Sequence, residues 1–242
     1  ITKMSQVHFS ACEAYRQRVI QLGEQPDRVF DVGALGVENI GKIALMDREA
    51  LEASIGFPLD QPFFLVTFHP VTLEHATAGD QIDELFAALN QFPDRRVIFT
   101  KANADADGEI INAKIDAYVA EFPERCMAVA SLGLVRYLSA MKMCAAVVGN
   151  SSSGILEAPS LKVPTVNIGD RQKGRVRAPS VLDCAANCEN IKNAMETALD
   201  AAFRAGIQKM ESPFEKCGTA AEIVKVIASI ELKGLLKKSF YN

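Results

Sequence analysis

Short uninterrupted apolar runs alternate along this chain with longer segments in which apolar residues recur every three or four positions. The runs are Arg28–Val32 (RVFDV), Phe63–Phe68 (FFLVTF), Arg96–Thr100 (RVIFT), Met127–Ala130 (MAVA), Ala145–Val148 (AAVV) and Pro164–Ile168 (PTVNI). Such runs read as strands buried on both faces. Helical spacing appears between them. Asp47–Ile55 opens on an Asp N-cap and closes before Gly56, a natural C′ residue. Asp80–Phe92 sets Ile82, Leu85, Phe86 and Leu89 on one face, and Glu109–Phe122 does the same with Ile111, Ile115, Tyr118 and Val119. Leu134–Met143, Asn190–Phe203 and Thr219–Leu236 complete the set, and Met4–Gln21 reads as a helix at the start.

Continuous apolar strands separated by helices predict an α/β fold: a doubly wound, Rossmann-like parallel sheet of about six strands. Ligands of such sheets bind beyond the carboxyl ends of the strands. Five of those ends read His69-Pro-Val-Thr, Lys101-Ala-Asn-Ala-Asp, Ser131-Leu-Gly, Asn150-Ser-Ser-Ser-Gly and Gly169-Asp-Arg-Gln-Lys-Gly-Arg. Polar residues and glycines therefore gather on one edge of the predicted sheet.

Composition narrows the possibilities without choosing among them. The chain has 242 residues, 49% hydrophobic and 23% charged, which suits a globular protein and excludes a disordered or fibrous one. A formal charge of −4 gives no global attraction to nucleic acid or to an anionic membrane. No apolar run approaches the roughly 20 residues of a bilayer span. Six cysteines form no CxxC pair and no framework spacing, so a reducing, cytoplasmic setting is expected. Cys184 and Cys188 would share a helical side but lack two further ligands, and the three histidines show no zinc spacing, so no metal is expected. The chain opens ITKMSQVHF, with neither initiator Met nor signal-peptide core. A truncated start is the expectation.

The strand-end residues carry the candidate chemistry. In VVGNSSSGILE, Ser151 and Ser152 stand where a helix start presents unsatisfied N–H groups, which suits a diphosphate, with Gly149 and Gly154 permitting close approach. The alternative is an ordinary serine N-cap. Neither GxxxxGK[ST] nor GxGxxG is present. Glu157, about one turn further on, suits ribose hydroxyls, or is a solvated helix acid. His69, at a strand exit fixed by Pro70, suits a phosphate contact or proton transfer, or is structural. His75 reads as exposed. Arg171, Lys173, Arg175 and Arg177 form a local cationic loop, suited to phosphate or carboxylate unless simply solvated. Asn103 and Asp105 are turn formers first and sugar contacts second.

The segments VGALGVENI, TFHPVT, NADADG, VVGNSSSGILE, NIGDRQKGR and KKSFYN occur in order over nearly the whole chain. Together they resemble the hydrolysing UDP-N-acetylglucosamine 2-epimerases of sialic and related nonulosonic acid pathways. Pro70 follows the strand-end histidine, where the non-hydrolysing relatives usually carry Arg, and this favours the hydrolysing branch. The resemblance implies the C-terminal domain of a two-domain, glycosyltransferase-B-like architecture. Residues 1–25 would end the N-terminal domain, 26–218 would form the UDP-binding domain, and 219–242 would be a helix crossing back. It also implies an elimination of UDP from UDP-N-acetylglucosamine, then hydration to N-acetylmannosamine, with no metal or nicotinamide cofactor. UDP and a UDP-N-acetylhexosamine are the implied ligands, and a homo-oligomer is implied for the full-length protein.

By the same resemblance, His69 is the catalytic candidate, and His69, Ser151, Ser152 and Arg171 contact the diphosphate region. Glu157 holds the ribose, Asn103 lies near phosphate or sugar, and Ser131, Leu132 and Gly133 frame the uracil. His8 would reach toward the cleft. The family's catalytic carboxylates lie mostly in the preceding domain, so this chain alone is expected to be inactive. UDP-N,N'-diacetylbacillosamine is an alternative substrate. A glycosyltransferase using the same donor domain, and a UDP-binding module without catalysis, are the competing readings.

Overall fold

The computed structural model describes residues 1–71, 78–103, 107–231, 233 and 237–241. His75 and Asp105 lie outside these. In chain order the elements are β1 (His8–Ser10), α1 (Glu13–Gln21), β2 (Val29–Asp31), α2 (Leu35–Ile40), α3 (Arg48–Ile55), β3 (Phe63–Thr67), α4 (Ala78–Leu89), β4 (Arg96–Thr100), α5 (Gly108–Glu121), β5 (Cys126–Val129), α6 (Gly133–Met143), β6 (Ala146–Gly149), α7 (Ser153–Leu156), β7 (Thr165–Ile168), β8 (Val181–Cys184), α8 (Cys188–Leu199), α9 (Ala201–Ile207) and α10 (Thr219–Ser229). They form two compact units: 43–211, and 1–42 together with 212–242.

The larger unit is built on a six-stranded, all-parallel sheet in the order β5-β4-β3-β6-β7-β8. Counted from β3, this is the Rossmann order 3-2-1-4-5-6, and the chain reverses direction between β3 and β6. The strand alternation sorts side chains into two cores. Phe64, Val66, Val97, Phe99, Ala146 and Val148 pack with Ile82, Leu85, Ile111, Ile115, Ile191 and Met195 from α4, α5 and α8. Phe63, Leu65, Ile98 and Val147 pack with Leu51 from α3 and Ala140 and Met141 from α6. Neighbouring residues of one strand thus enter opposite cores, as the period of two requires. The expected doubly wound α/β sheet is the fold observed.

Several elements differ from the sequence expectations. Met4–Gln21 is not one helix: His8–Ser10 pairs in parallel with Val29–Asp31, and only Glu13–Gln21 is helical. The Phe9 and Phe30 rings, 5.9 Å apart, seal that pairing. The strand at 28–32 consequently belongs to a separate two-stranded sheet, and the sixth strand of the main sheet is β8. Asn190–Phe203 divides at Asp200, which has extended backbone and accepts a bond from Phe203 N, starting α9. Asp47 does cap α3, accepting from Ala50 N, and Gly56 is left-handed with φ 66°. Among the described residues, no helix is long and apolar enough to cross a membrane.

Candidate functional site

The reversal between β3 and β6 opens a crevice at the carboxyl ends of the strands. A cleft of about 410 Å³ lies there, lined by residues that follow or end β3, β4, β5 and β6 and by Tyr137 of α6. Six of the nine expected site residues line it: His69, Asn103, Ser131, Leu132, Gly133 and Ser151. Ser152, Glu157 and Arg171 are not in this lining.

Asn150, not singled out in the sequence, ties the strand ends together. Its side chain accepts from His69 N–H at 2.8 Å and donates to His69 C=O at 2.8 Å, clamping the exit of β3 to the exit of β6. Its own carbonyl accepts from Arg171 Nη1 at 3.0 Å and Gln172 Nε2 at 2.8 Å, which anchors the loop after β7. Arg171 thus spends one donor holding the serine-rich turn in place. Asn103 N–H makes a long contact of 3.5 Å to His69 Nδ1. An Nδ1 that accepts puts the proton of a neutral ring on Nε2.

The serine run is organised by hydroxyl contacts. Tyr137 donates or accepts at Ser153 Oγ, 2.6 Å away, and Ser153 Oγ donates to Ser151 Oγ at 3.1 Å. Burial raises the Tyr137 phenol above its ordinary value, opposed by bonds to Ser153 and Thr67. The phenol is therefore a neutral hydroxyl at the cleft wall. Thr67 and Thr100 bond to each other through their hydroxyls across β3 and β4. Tyr137, Thr67 and Thr100 escaped the sequence reading because each sits within an apolar element. Their signal, a hydroxyl at the last position of a strand or on a helix face, is too common to stand out.

The two glycines of VVGNSSSG serve packing. A Cβ on Gly149 would stand 2.0 Å from Thr67 C=O, and one on Gly154 would stand 2.6 Å from Thr165 Cγ2. Their smallness is required by β3 and β7, a packing role beside the close approach expected for a diphosphate. The serine N-cap alternative fails in part, since Ser152 occupies the N-cap of α7 without a side-chain capping bond.

Glu157 is not a solvated acid. Its Oε2 is buried without a hydrogen-bond partner among the described residues. Burial raises its carboxyl above the usual range, partly offset by its own backbone N–H and the charge of Arg175. A half-buried carboxylate with an unused acceptor is an unusual expense in a folded chain. Ser131 Oγ accepts from Gly133 N–H at 3.1 Å, shaping the 131–133 turn on the cleft rim. His8 lies in the other unit, where Nε2 is 3.0 Å from Glu24 Oε2.

A model of the UDP-N-acetylglucosamine 2-epimerase family matches residues 1–228. The chain belongs to that family. Among its relatives, the polysialic acid biosynthesis protein P7 of Escherichia coli is 40% identical over all of this chain and 62% of its own length. The GDP/UDP-N,N'-diacetylbacillosamine 2-epimerase (hydrolyzing) of Campylobacter jejuni is 35% identical over 100% of this chain and 63% of its own length. The chain therefore spans a little over three-fifths of these epimerase-family relatives. A solved S. aureus MnaA–UDP structure shares the fold with a TM-score of 0.74 at 14% identity, covering 100% of this chain and 65% of that one.

Proposed function

We propose that this chain supplies the UDP-binding part of a hydrolysing UDP-sugar 2-epimerase. The reaction proceeds in two stages. Loss of the C2 proton and breakage of the C1–O bond release UDP and leave a glucal-type alkene. Water then adds across that alkene, with hydroxyl at C1 and hydrogen at C2 on the opposite face, giving N-acetylmannosamine. The observation that carries the reading is the convergence of His69, Asn103, Ser131–Gly133 and Ser151 on one cleft at the strand reversal of a family member.

In this reading the chain's task is to hold UDP and stabilise it as it departs. Ser151, Ser152, His69 Nε2–H and the guanidinium of Arg171 meet the growing charge on the diphosphate, where donors fixed in advance lower the barrier. The Asn150 clamp keeps His69 and the serine turn at a constant separation. Glu157 accepts the ribose hydroxyls, which its buried, unpartnered oxygen supports. The 131–133 turn frames the uracil. The proton steps at C2 fall to carboxylates outside this chain, so the chain alone does not turn over. Residues 1–25 and 219–242 belong with that further domain, 26–218 carry the nucleotide, and the complete enzyme is a cytoplasmic homo-oligomer needing no metal or nicotinamide. The relatives' names also support UDP-N,N'-diacetylbacillosamine as substrate.

The test compares ligands and variants. Glu157→Gln is expected to weaken UDP more than pyrophosphate; equal losses would remove the ribose assignment. In the full-length protein, UDP release from UDP-N-acetylglucosamine should accompany N-acetylmannosamine formation. Release of UDP onto an acceptor sugar instead would point to a glycosyltransferase.

A further inference from the structure

A second basic depression lies at the other end of the main sheet. Its volume is about 500 Å³, and its walls carry Arg48, Arg95 and Arg204, with Asp60 as the sole acid. Pro62 and Ala145, which also line it, immediately precede β3 and β6, so it opens at their amino ends. The cleft described above opens at their carboxyl ends. A strand of five residues sets the two about 15 Å apart.

The cations are fixed yet mostly unneutralised. Arg48 donates Nη1 to Leu59 C=O at 2.7 Å, and Arg204 donates Nη1 to Ala145 C=O. Among the described residues neither has a carboxylate within 4.0 Å. Asp60 is taken by Arg96, whose Nε and Nη2 both approach Oδ1, at 2.8 and 2.7 Å. Arg95 faces only the exposed Asp94, 3.5 Å from Nε, and that Nε is buried without a hydrogen bond among the described residues. Ordinary surface arginines are mobile and solvated. Here two guanidiniums are pinned by main-chain carbonyls with their remaining N–H groups uncommitted among the described residues, in a chain whose formal charge is −4. Forked, pre-oriented donors in a concave site match the oxygens of a multiply charged oxyanion.

We propose that Arg48, Arg95 and Arg204 form a binding site for a phosphate-bearing ligand, separate from the nucleotide cleft. It needs no part of the proposed reaction. Inorganic pyrophosphate is the probe. Phenylglyoxal modification of Arg48 and Arg204, followed residue by residue by mass spectrometry, is expected to slow in its presence, while the exposed Arg18 in the other unit is unaffected. Equal rates with and without pyrophosphate would overturn the site. The variant R48Q/R204Q should lose about tenfold in pyrophosphate affinity at this site, read from protection of the remaining Arg95. Unchanged affinity would likewise refute it. If that variant fails to fold, Arg48→Lys provides the same comparison with the charge kept and the fork removed. Protection by acetate equal to that by pyrophosphate would also overturn the phosphate assignment, leaving a generic anion contact. Failure of UDP to bind the chain would leave these readouts intact, since none depends on the cleft.

Discussion

The two units are held together by different physics. Both large apolar clusters lie entirely within residues 43–211, on either side of the main sheet. In the other unit the buried apolar residues are only Cys12, Val29, Val32, Val37, Phe214 and Val226 among those described. Beside the Tyr15–Phe214 ring pair, 6.0 Å apart, its first and last segments are joined by polar contacts. Thr219 donates to Val32 C=O at 2.6 Å, and Lys216 pairs with Asp31 at 2.6 Å. Glu24, 2% exposed, gathers Lys3, His8 and Lys238 around one carboxylate. An apolar core holds no charge to titrate or screen, whereas a charge-centred unit does. The candidate cleft is mounted on the apolar one.

The largest effect should come from the apolar side. Phe99 is fully buried, in edge contact with Phe86 and Tyr118. Phe99→Ala is expected to cost about 3–5 kcal/mol in chemical denaturation followed by exchange of β3–β6 amides. A loss under 1 kcal/mol would mean that this core is not the main support.

Next in size are variants of the proposed diphosphate contacts. Ser152→Ala and Arg171→Ala should each weaken UDP by about 1–3 kcal/mol in calorimetric titration. Arg171→Ala should also loosen the serine turn, because it removes a bond to Asn150 C=O. Unchanged affinity in both would dismiss the diphosphate assignment.

The charge-centred unit makes the pH prediction. Burial alone would raise the Glu24 carboxyl, but bonds from Lys238, His8 and Lys3 prevail and bring it from 4.5 to about 2. A depressed carboxylate gives stability that is complete above its unfolded value and is lost as pH falls through its folded one. The β1–β2 pairing should therefore weaken between pH 4.5 and 2, while the main sheet holds. Glu24→Gln should be less stable at neutral pH and flat across that window, as read from the amide shifts of Phe9 and Phe30. An unchanged slope in the variant would deny Glu24 its central place. The smallest effect concerns thiols. Burial pushes Cys126 up to about 11 and Cys144 up to about 12, so native alkylation at pH 8 should favour the exposed Cys217 over both.

How much of this was legible in the sequence follows the same division. β3, β4, β6 and β7 were readable because each is an apolar run buried on both faces, and β5 because its run is apolar although only Cys126 is buried; the strand ends then placed five polar segments on one edge. β1 and β8 were not, being three and four residues long and only partly buried. One of the sheet's two edge strands, VLDC, carries an exposed Asp that breaks the apolar run. In the cleft, motif residues could be named, but Asn150 and Tyr137 act through partners far away in sequence, 81 residues in the case of Asn150 and His69. Nothing local in the chain encodes such a bond.

The most direct measurement is calorimetric titration of the 242-residue chain with UDP, with ADP as control. The account predicts saturable binding of UDP and much weaker binding of ADP, because the proposed contact of the 131–133 turn with uracil is the one that differs between them, the proposed ribose and diphosphate contacts being common to both. Equal binding of both nucleotides, or of neither, would contradict it.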